Sequence, residues 1–377
     1  MYTDDQLSIR DLARNFARSE VEPEASMRDR ESLFASALIH KLGEMGFMGM
    51  MVPESYGGSG QDLISYLLAL EEIAYCDASL AVAMSVNNSV VCGPILSFGS
   101  EEQKKKYLPD LCSGRALGSF MLSEPNAGSD AASLQSKATR IDGGWILNGS
   151  KAWITNGAYA KYFIVMAVTN PSLGKKGISA FVVESGHKGL ILAPAEKKMG
   201  LKSSNTVMVT LQDVFVPEEN LLGPEGAGLQ VALGGLDEGR VGIAAQALGI
   251  AQRAVDESIK YSKERTTFGK RIGDHQSIST YLAEMESKVQ ASRLLIYRAA
   301  SKIMNHQKAT LESATAKLFT TENAVWICDK AVQIHGGYGY TSDYVVERLY
   351  RDVRVTTIYE GTSEIQRIVI ARELLGK

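Results

Sequence analysis

"NTVMVTLQDVFVP", residues 205–217, alternates side-chain character along its length. Val207, Val209 and Leu211 fall on one side, Met208, Thr210 and Gln212 on the other, which predicts a half-buried strand. Strand-length apolar runs precede it, "YFIVMAV" (162–168) and "ISAFVVE" (178–184). "GWILNGSKAWI" (144–154) reads as two apolar runs joined at Asn148-Gly149, a hairpin signal. Outside this region the period is helical. Before it stand "LFASALIHKLGEMGFMGM" and "LISYLLALEEIAY", separated by the turn cluster "PESYGGSGQD"; after it come "ALGIAQRAVDESIKYSKERT" and "ISTYLAEMESKVQASRLLIYRAASKIM". The order is helices, strands, helices, unlike a βαβ alternation. The expected class is mostly α with an inserted β domain, divided as 1–112, 113–225 and 226–377. The chain carries no internal repeat and no low-complexity tract.

Composition narrows the function. The 377 residues have a formal net charge of -3, with 45% hydrophobic and 22% charged residues, an ordinary globular balance without the basic face that nucleic acid requires. No apolar run is read as approaching the ~20 residues of a membrane span. At the N-terminus, Ile9, Leu12 and Phe16 with Ala13 and Ala17 predict an amphipathic helix of a mature chain, not a signal or transit peptide. Cys76, Cys92, Cys112 and Cys328 form no C-x-x-C pair and read as buried thiols, and the five histidines show no metal-ligand spacing. Chemistry therefore falls to carboxylates, hydroxyls or an organic cofactor.

Six stretches are candidates. "FMLSEPNAGSDAAS" (120–133) is a loop rich in backbone donors and short hydroxyls, or a plain surface connection. In "KAWITNG" (151–157), Trp153 and Thr155 on one strand face would cover a flat aromatic ligand and offer a hydroxyl; a core Trp beside a strand Thr is the plainer reading. "LDEGR" (236–240) places Asp237 and Arg240 three apart near a helix start, as a local ion pair or as a holder of a polar tail. "RTTFGKRIGDHQ" (265–276) is a turn or a phosphate and adenine clamp, and "QIHGGYGY" (333–340) is glycine-rich without the preceding strand of a dinucleotide fingerprint. In "IYEGTSEIQR" (358–367), Glu360 stands between Tyr359 and Gly361 at the mouth of a helix, where Thr362 or Ser363 would cap.

Taken in order, "MLSEPNAGSD", "KAWITN", "LDEGRVGIAAQALGIAQ", "RTTFGK", "QIHGGYGY" and "YEGTSEIQR" resemble the acyl-CoA dehydrogenase family over essentially the whole chain. "AMSVNNS" and the LDEGR segment are most similar to its short-chain (butyryl-CoA) branch. The resemblance implies an N-terminal helical domain, a central β-barrel-like domain and a C-terminal four-helix bundle. It implies FAD, with Phe120, Leu122, Ser123 and Ser129 lining the flavin and ribityl chain and Ser129 also touching the pantetheine side of the substrate. Trp153, Ile154 and Thr155 would cover the isoalloxazine. Arg265, Phe268, Gln276, Gln333, Ile334, Gly336 and Gly337 would reach FAD across a subunit interface of a homo-oligomer, a tetramer by family pattern. Asp237 and Arg240 match positions that bind CoA.

By the same resemblance Glu360 is the catalytic base, Tyr359 and Gly361 border the substrate, and Thr362 to Glu364 cap a helix facing the FAD phosphates. The family's fixed donors to the thioester oxygen are the base's own backbone N–H and a ribityl hydroxyl. Some members carry the base at the position of Gly239; glycine cannot serve, so Glu360 keeps the role and the neighbouring Glu238 is a decoy. Members acting on glutaryl-CoA use an arginine where Ala81 stands, and none lies between Ala78 and Cys92, which disfavours a dicarboxylic substrate. The activity implied is α,β-dehydrogenation of a short-chain acyl-CoA with electrons passed to electron-transferring flavoprotein. Alternatives are enoyl-CoA reduction fed by a bifurcating flavoprotein, an acyl-CoA oxidase, and a non-catalytic relative used for binding. Expected partners are acyl-CoA, electron-transferring flavoprotein and further copies of the chain, with neither nucleic acid nor membrane insertion. Location is expected in bacterial cytoplasm, or in the mitochondrial matrix for a processed chain.

Overall fold

A computed structural model describes residues 2–376. Seven helices come first, α1 (Asp4–Phe16), α2 (Glu22–Glu31), α3 (Ser36–Glu44), α4 (Leu63–Cys76), α5 (Ala78–Ser85), α6 (Gly93–Phe98) and α7 (Glu101–Cys112). Thr3 and Gln6 close a reciprocal capping box at the start of α1. Its buried face is Gln6, Ala13 and Phe16, while Leu12 is exposed, so the apolar stripe is narrower than its periodicity implies.

One segment is more apolar over a longer span than the run lengths in the sequence imply. Ala78–Phe98 runs α5, a π-helical stretch and α6 as one 21-residue helix that is long and apolar enough, by composition, to cross a membrane. Most of it is buried inside the fold, where it is a core helix. Two asparagines break its apolar face and tie it to its surroundings. Asn88 Oδ1 accepts from the Met50 N–H (2.8 Å), and Asn87 Oδ1 accepts from the Gly118 N–H (2.9 Å) at the first strand. Such satisfied amides fix the position of a core helix.

The β region holds β1 (Gly118–Met121), β2 (Lys137–Ile141), β3 (Gly144–Thr155), β4 (Tyr162–Val168), β5 (Ile178–Glu184), β6 (Leu190–Leu192), β7 (Thr206–Pro217) and β8 (Leu221–Leu222). They pair in the order β6-β7-β3-β2-β4-β5-β8, with β1 parallel to β4. The sheet is open, with β6 and β8 at its two ends, and does not close into a barrel. "YFIVMAV" lacks alternation because β4 is covered on both faces. Tyr162, Ile164 and Met166 pack with Tyr107, Leu108 and Leu111 of α7, while Phe163, Val165 and Ala167 pack with Trp145, Phe181 and Val209 inside the sheet.

Asn148-Gly149 is not a turn. β3 runs straight through it, paired with β7 on both sides of a register shift between Leu147 and Gly149. Asn148 exchanges hydrogen bonds with Asp213 across that irregularity, accepting from its N–H (2.9 Å) and donating to its carboxylate (3.0 Å). Gly149 is there for close approach, since a Cβ would lie 2.3 Å from Ser136 Oγ. The hairpin turn is Asp142-Gly143, between paired Ile141 and Gly144, with Gly143 at φ +79°.

Helices resume with α8 (Gly228–Leu233), α9 (Leu236–Glu264), α10 (Gln276–Met304), α11 (Thr310–His335), α12 (Val346–Val353) and α13 (Ser363–Leu375). Between α9 and α10 lies a two-stranded ribbon, β9 (Thr266–Thr267) and β10 (Lys270–Arg271), turning at Phe268-Gly269 with both φ positive. α9 packs closely on α4: a Cβ at Gly249 would lie 2.3 Å from the Glu71 carbonyl oxygen. α9 and α11 run parallel. Thr310 at the start of α11 reaches Asp237 at the start of α9, and His335 at its end stacks on Tyr261 near the end of α9 (4.3 Å between centroids).

Candidate active site

The segment 358–367 leaves helical geometry just before α13. Glu360 and Gly361 both adopt left-handed backbone, φ +52° and +87°. Such a conformation in a non-glycine residue is strained and persists only where surrounding contacts fix it. Thr362 Oγ1 then accepts from the Ile365 N–H (3.3 Å) and caps α13. Gln366, fully buried on the first turn of α13, donates from Nε2 to the carbonyls of Glu360 (3.3 Å) and Gly361 (3.0 Å). Lys317 of α11, also fully buried, donates from Nζ to the Gly361 carbonyl (2.7 Å).

This turn lays the Glu360 carboxylate against α9. A Cβ at Gly239 would come 3.0 Å from Glu360 Oε2, so the missing side chain leaves the space the carboxylate uses. Burial raises the Glu360 pKa, with Lys317 and Arg240 pulling against it. A desolvated carboxylate of this kind is a stronger base than one in water. Tyr359 is held beside it by a hydrogen bond to Gln246 Oε1 (2.5 Å), and Gln246 donates in turn to the Ala78 carbonyl (3.0 Å). Glu238, one residue from Gly239, also has its pKa raised by burial and by Asp237.

Arg240 lies differently from a free ligand for a polar tail. It is buried and pairs with Asp237 (2.9 Å), whose other carboxylate oxygen accepts from Thr310 Oγ1 (3.0 Å). The local ion pair is what the structure contains, and the guanidinium favours the charged form of Glu360. Arg240 Nε is buried with no protein partner.

The second group of candidates gathers around the end of β3. The strand alternation breaks there, with a register shift between Lys151 and Ile154 and φ +61° at Trp153. Trp153 and Thr155 therefore do not share a regular strand face. Trp153 is turned outward, 66% exposed, while the Ile154 side chain sits in the sheet core and leaves only its backbone for a ligand. Thr155 is half-buried, and its carbonyl accepts from Ser119 Oγ (2.5 Å) beside Phe120. Phe120, Leu122 and Ser123 are half-buried, and Ser129 is exposed on the loop beyond. A contact absent from the sequence reading ties this loop to β3. Lys151 Nζ meets Glu124 Oε1 at 2.7 Å, both buried, and Glu124 also accepts from the N–H groups of Gln135 (2.7 Å) and Ser136 (3.1 Å).

The third group lies at the far end of α9. Arg265 is set over the Tyr338 ring (5.6 Å), which joins the ribbon to the 336–340 segment, and Phe268 at the ribbon tip is 96% exposed. Gln276 and Gln333 are exposed; Ile334 is buried in the helical core and, like Ile154, has no side chain to offer. Gly336 and Gly337 have open space where a Cβ would stand. At 1.5 Å per residue, α9 separates this end from Gly239 by roughly 40 Å. One chain cannot bring Arg265 and Glu360 to the same small ligand.

Lys317, Gln366, Glu124 and Lys151 escaped the sequence reading. The available signals were a lysine inside the otherwise small and apolar "SATAKLF" and an acid and a lysine within two motifs already singled out. Among the described residues no group of His, Cys, Asp and Glu is arranged to hold a metal.

The match to known families follows the same three parts. Residues 3–115 match the acyl-CoA dehydrogenase N-terminal domain, 119–214 the middle domain and 226–375 the C-terminal domain. The chain belongs to the acyl-CoA dehydrogenase family. An acyl-CoA dehydrogenase of Bacillus subtilis is 48% identical over 99% of each chain. The solved butyryl-CoA dehydrogenase of Megasphaera elsdenii superposes with a TM-score of 0.97 at 44% identity, covering 100% of this chain and 99% of that one. A subunit of the caffeyl-CoA reductase–Etf complex of Acetobacterium woodii is 44% identical over the full length of both. As an acyl-CoA dehydrogenase family member the chain is an oxidoreductase that uses FAD. Its residues fit a flavin: an outward indole at the end of β3, a loop of donors beside it, and open glycine backbone at 336–337.

Proposed function

We propose that the protein dehydrogenates a short-chain acyl-CoA at Cα–Cβ to the trans-2-enoyl-CoA and passes the electrons to an electron-transferring flavoprotein. The observation that carries this reading is the Glu360 carboxylate, desolvated on a locked left-handed turn against Gly239. Bound FAD supplies the acceptor for the hydride that leaves Cβ. Glu360 takes the proton from Cα, and its raised pKa brings its basicity toward that of the activated thioester. Arg240 and Lys317 keep enough positive charge nearby for the carboxylate to be ionised before the transfer. Trp153 and Thr155, with the 120–129 loop, form the flavin side of the cleft, and the Lys151–Glu124 pair holds that loop to β3.

The roughly 40 Å between the two ends of α9 supports a shared site. Arg265, Phe268, Gln276 and the 336–337 backbone serve the FAD of a partner chain, which makes the working unit an oligomer, a tetramer in this reading. The domain limits remain 1–112, 113–225 and 226–377, and Asp237 and Arg240, paired at the start of α9, remain the candidates for the CoA moiety. In this reading the acyl chain has four to six carbons; the butyryl-CoA dehydrogenase of Megasphaera elsdenii supports its four-carbon end, and Ala81, buried in the helical core, leaves no cation for a distal carboxylate. The Acetobacterium relative favours a second reading, enoyl-CoA reduction by the same residues run in reverse. Both bacterial cytoplasm and mitochondrial matrix suit the chemistry; the cytoplasm is the reading adopted.

Anaerobic titration of the purified holoprotein with a panel of acyl-CoAs, followed by flavin absorbance, tests it. Bleaching fastest with butyryl- or hexanoyl-CoA is expected, graded by chain length because a methylene is worth only about 1–3 kcal/mol. Fastest bleaching by a long-chain or aromatic thioester contradicts the substrate assignment.

A further inference from the structure

We propose that Lys317 is a positioning residue for the base: its ammonium locks the left-handed Glu360–Gly361 turn and so fixes where the Glu360 carboxylate stands. The proposal rests on the reading of Glu360 as the base. Lys317 lies 44 residues before Gly361 on another helix and has 0% exposure, yet its hydrogen bond goes to the Gly361 carbonyl and not to a carboxylate. Burying an ammonium is costly unless it gains specific partners. Here what it gains is the carbonyl of the residue next to the base. Gln366, likewise 0% exposed, donates to that carbonyl and to the preceding one. Two buried side chains from two helices thus pin two successive carbonyls of a strained turn. With both peptide planes held, the Glu360 Cα–Cβ direction is set, and Gly239 receives the carboxylate.

The charge of Lys317 acts in the same direction. The charged groups that act on it are Glu360 on the turn, Arg240 on α9, Glu322 on α11 and Glu364 on α13. Burial lowers the Lys317 pKa to about 8, Glu360 opposing and Arg240 adding to the fall. The lysine is therefore mainly charged at neutral pH, and it favours the ionised form of Glu360. A lysine that served folding alone would affect how much FAD and protein are retained, without moving the pH dependence of the reaction per bound flavin.

The experiment uses FAD-loaded enzyme and butyryl-CoA in anaerobic stopped flow, from about pH 5.5 to about 9, with rates normalised to bound flavin. Lys317→Met is expected to slow flavin reduction at neutral pH by about 10- to 100-fold. The acidic limb of the pH profile should move up by about one unit, because a neighbouring positive charge is gone. Lys317→Arg should return the limb toward its original position. The double variant Glu360→Gln/Lys317→Met should be no slower than Glu360→Gln, since both act through one group. An unmoved limb with a rate within about twofold of the original overturns the proposal. If Lys317→Met does not retain FAD, Lys317→Gln is read in the same way; failure of both to assemble assigns the lysine to folding and also overturns it. Glu360→Gln separates the two levels. If that variant is inert while Lys317→Met is unaffected, only this proposal fails; if Glu360→Gln reduces flavin normally, the assignment of the base fails.

Discussion

The carboxylate of Glu360 rests where a side chain at Gly239 would be. A Cβ there would approach Oε2 to 3.0 Å, so the base from one segment and the vacancy from another are fitted to each other across more than a hundred residues of chain. Gly239 is helical, and alanine is favoured over glycine in a helix interior by about 1 kcal/mol. Gly239→Ala should therefore keep or slightly raise the melting temperature, because only the flexible end of Glu360 must give way. Flavin reduction by butyryl-CoA should nonetheless slow by about tenfold or more, since displacing a reacting group by a fraction of an ångström is costly. Calorimetry and stopped-flow reduction on the same preparation check both halves.

The buried Lys151–Glu124 pair holds the 120–129 loop. Lys151→Met leaves Glu124 as an uncompensated buried charge, a change that typically costs about 3–5 kcal/mol. The expected result is a lower melting temperature together with weaker FAD retention, measured by flavin released on gel filtration. Loss of stability with unchanged flavin affinity would separate this pair from the cofactor loop.

The sign of the pH dependence follows from burial. Burial raises the Glu360 pKa, and only the ionised carboxylate accepts the proton. The reduction rate should therefore be low at acid pH and rise through a limb above the ordinary glutamate value of about 4.3. A rate already at its plateau at pH 5 would contradict the desolvation seen around the turn.

Phe268 projects from the ribbon at the far end of α9, almost wholly exposed. An aromatic held in left-handed backbone at a tip is strained and apolar in water, and it is best explained by a partner chain covering it. Phe268→Asp should weaken oligomer assembly and FAD content together. Sedimentation and flavin-to-protein ratio are the checks; a stable oligomer with full flavin would remove the ribbon from the shared site.

Sequence was most informative where one face of an element meets one environment. The alternation in 205–217 reads directly onto β7, whose buried residues are Val207, Val209 and Leu211, until Asp213 at φ +50° shifts the phase so that Val214 and Val216 turn inward. Asn148-Gly149 misled because the same dipeptide suits a turn and an irregular strand, and the choice was made by Ser136 and Asp213, distant in sequence. The break at Trp153 was invisible for the same reason: β-bulges are set by the partner strand. Around Glu360, the capping threonine was readable from local order. The hydrogen bonds from Lys317 and Gln366 were not, because they depend on which helix packs against the turn.

The assignment of Glu360 as the base is tested most directly by single-turnover flavin reduction in Glu360→Gln, with Glu238→Gln as its companion. The amide keeps size and much of the hydrogen bonding, so FAD and butyryl-CoA should still bind. Reduction should fall by at least the ~10²–10⁴-fold typical of losing a general base, while Glu238→Gln stays near the original rate. The opposite pattern, an active Glu360→Gln and an inert Glu238→Gln, would place the base on α9 and contradict the account.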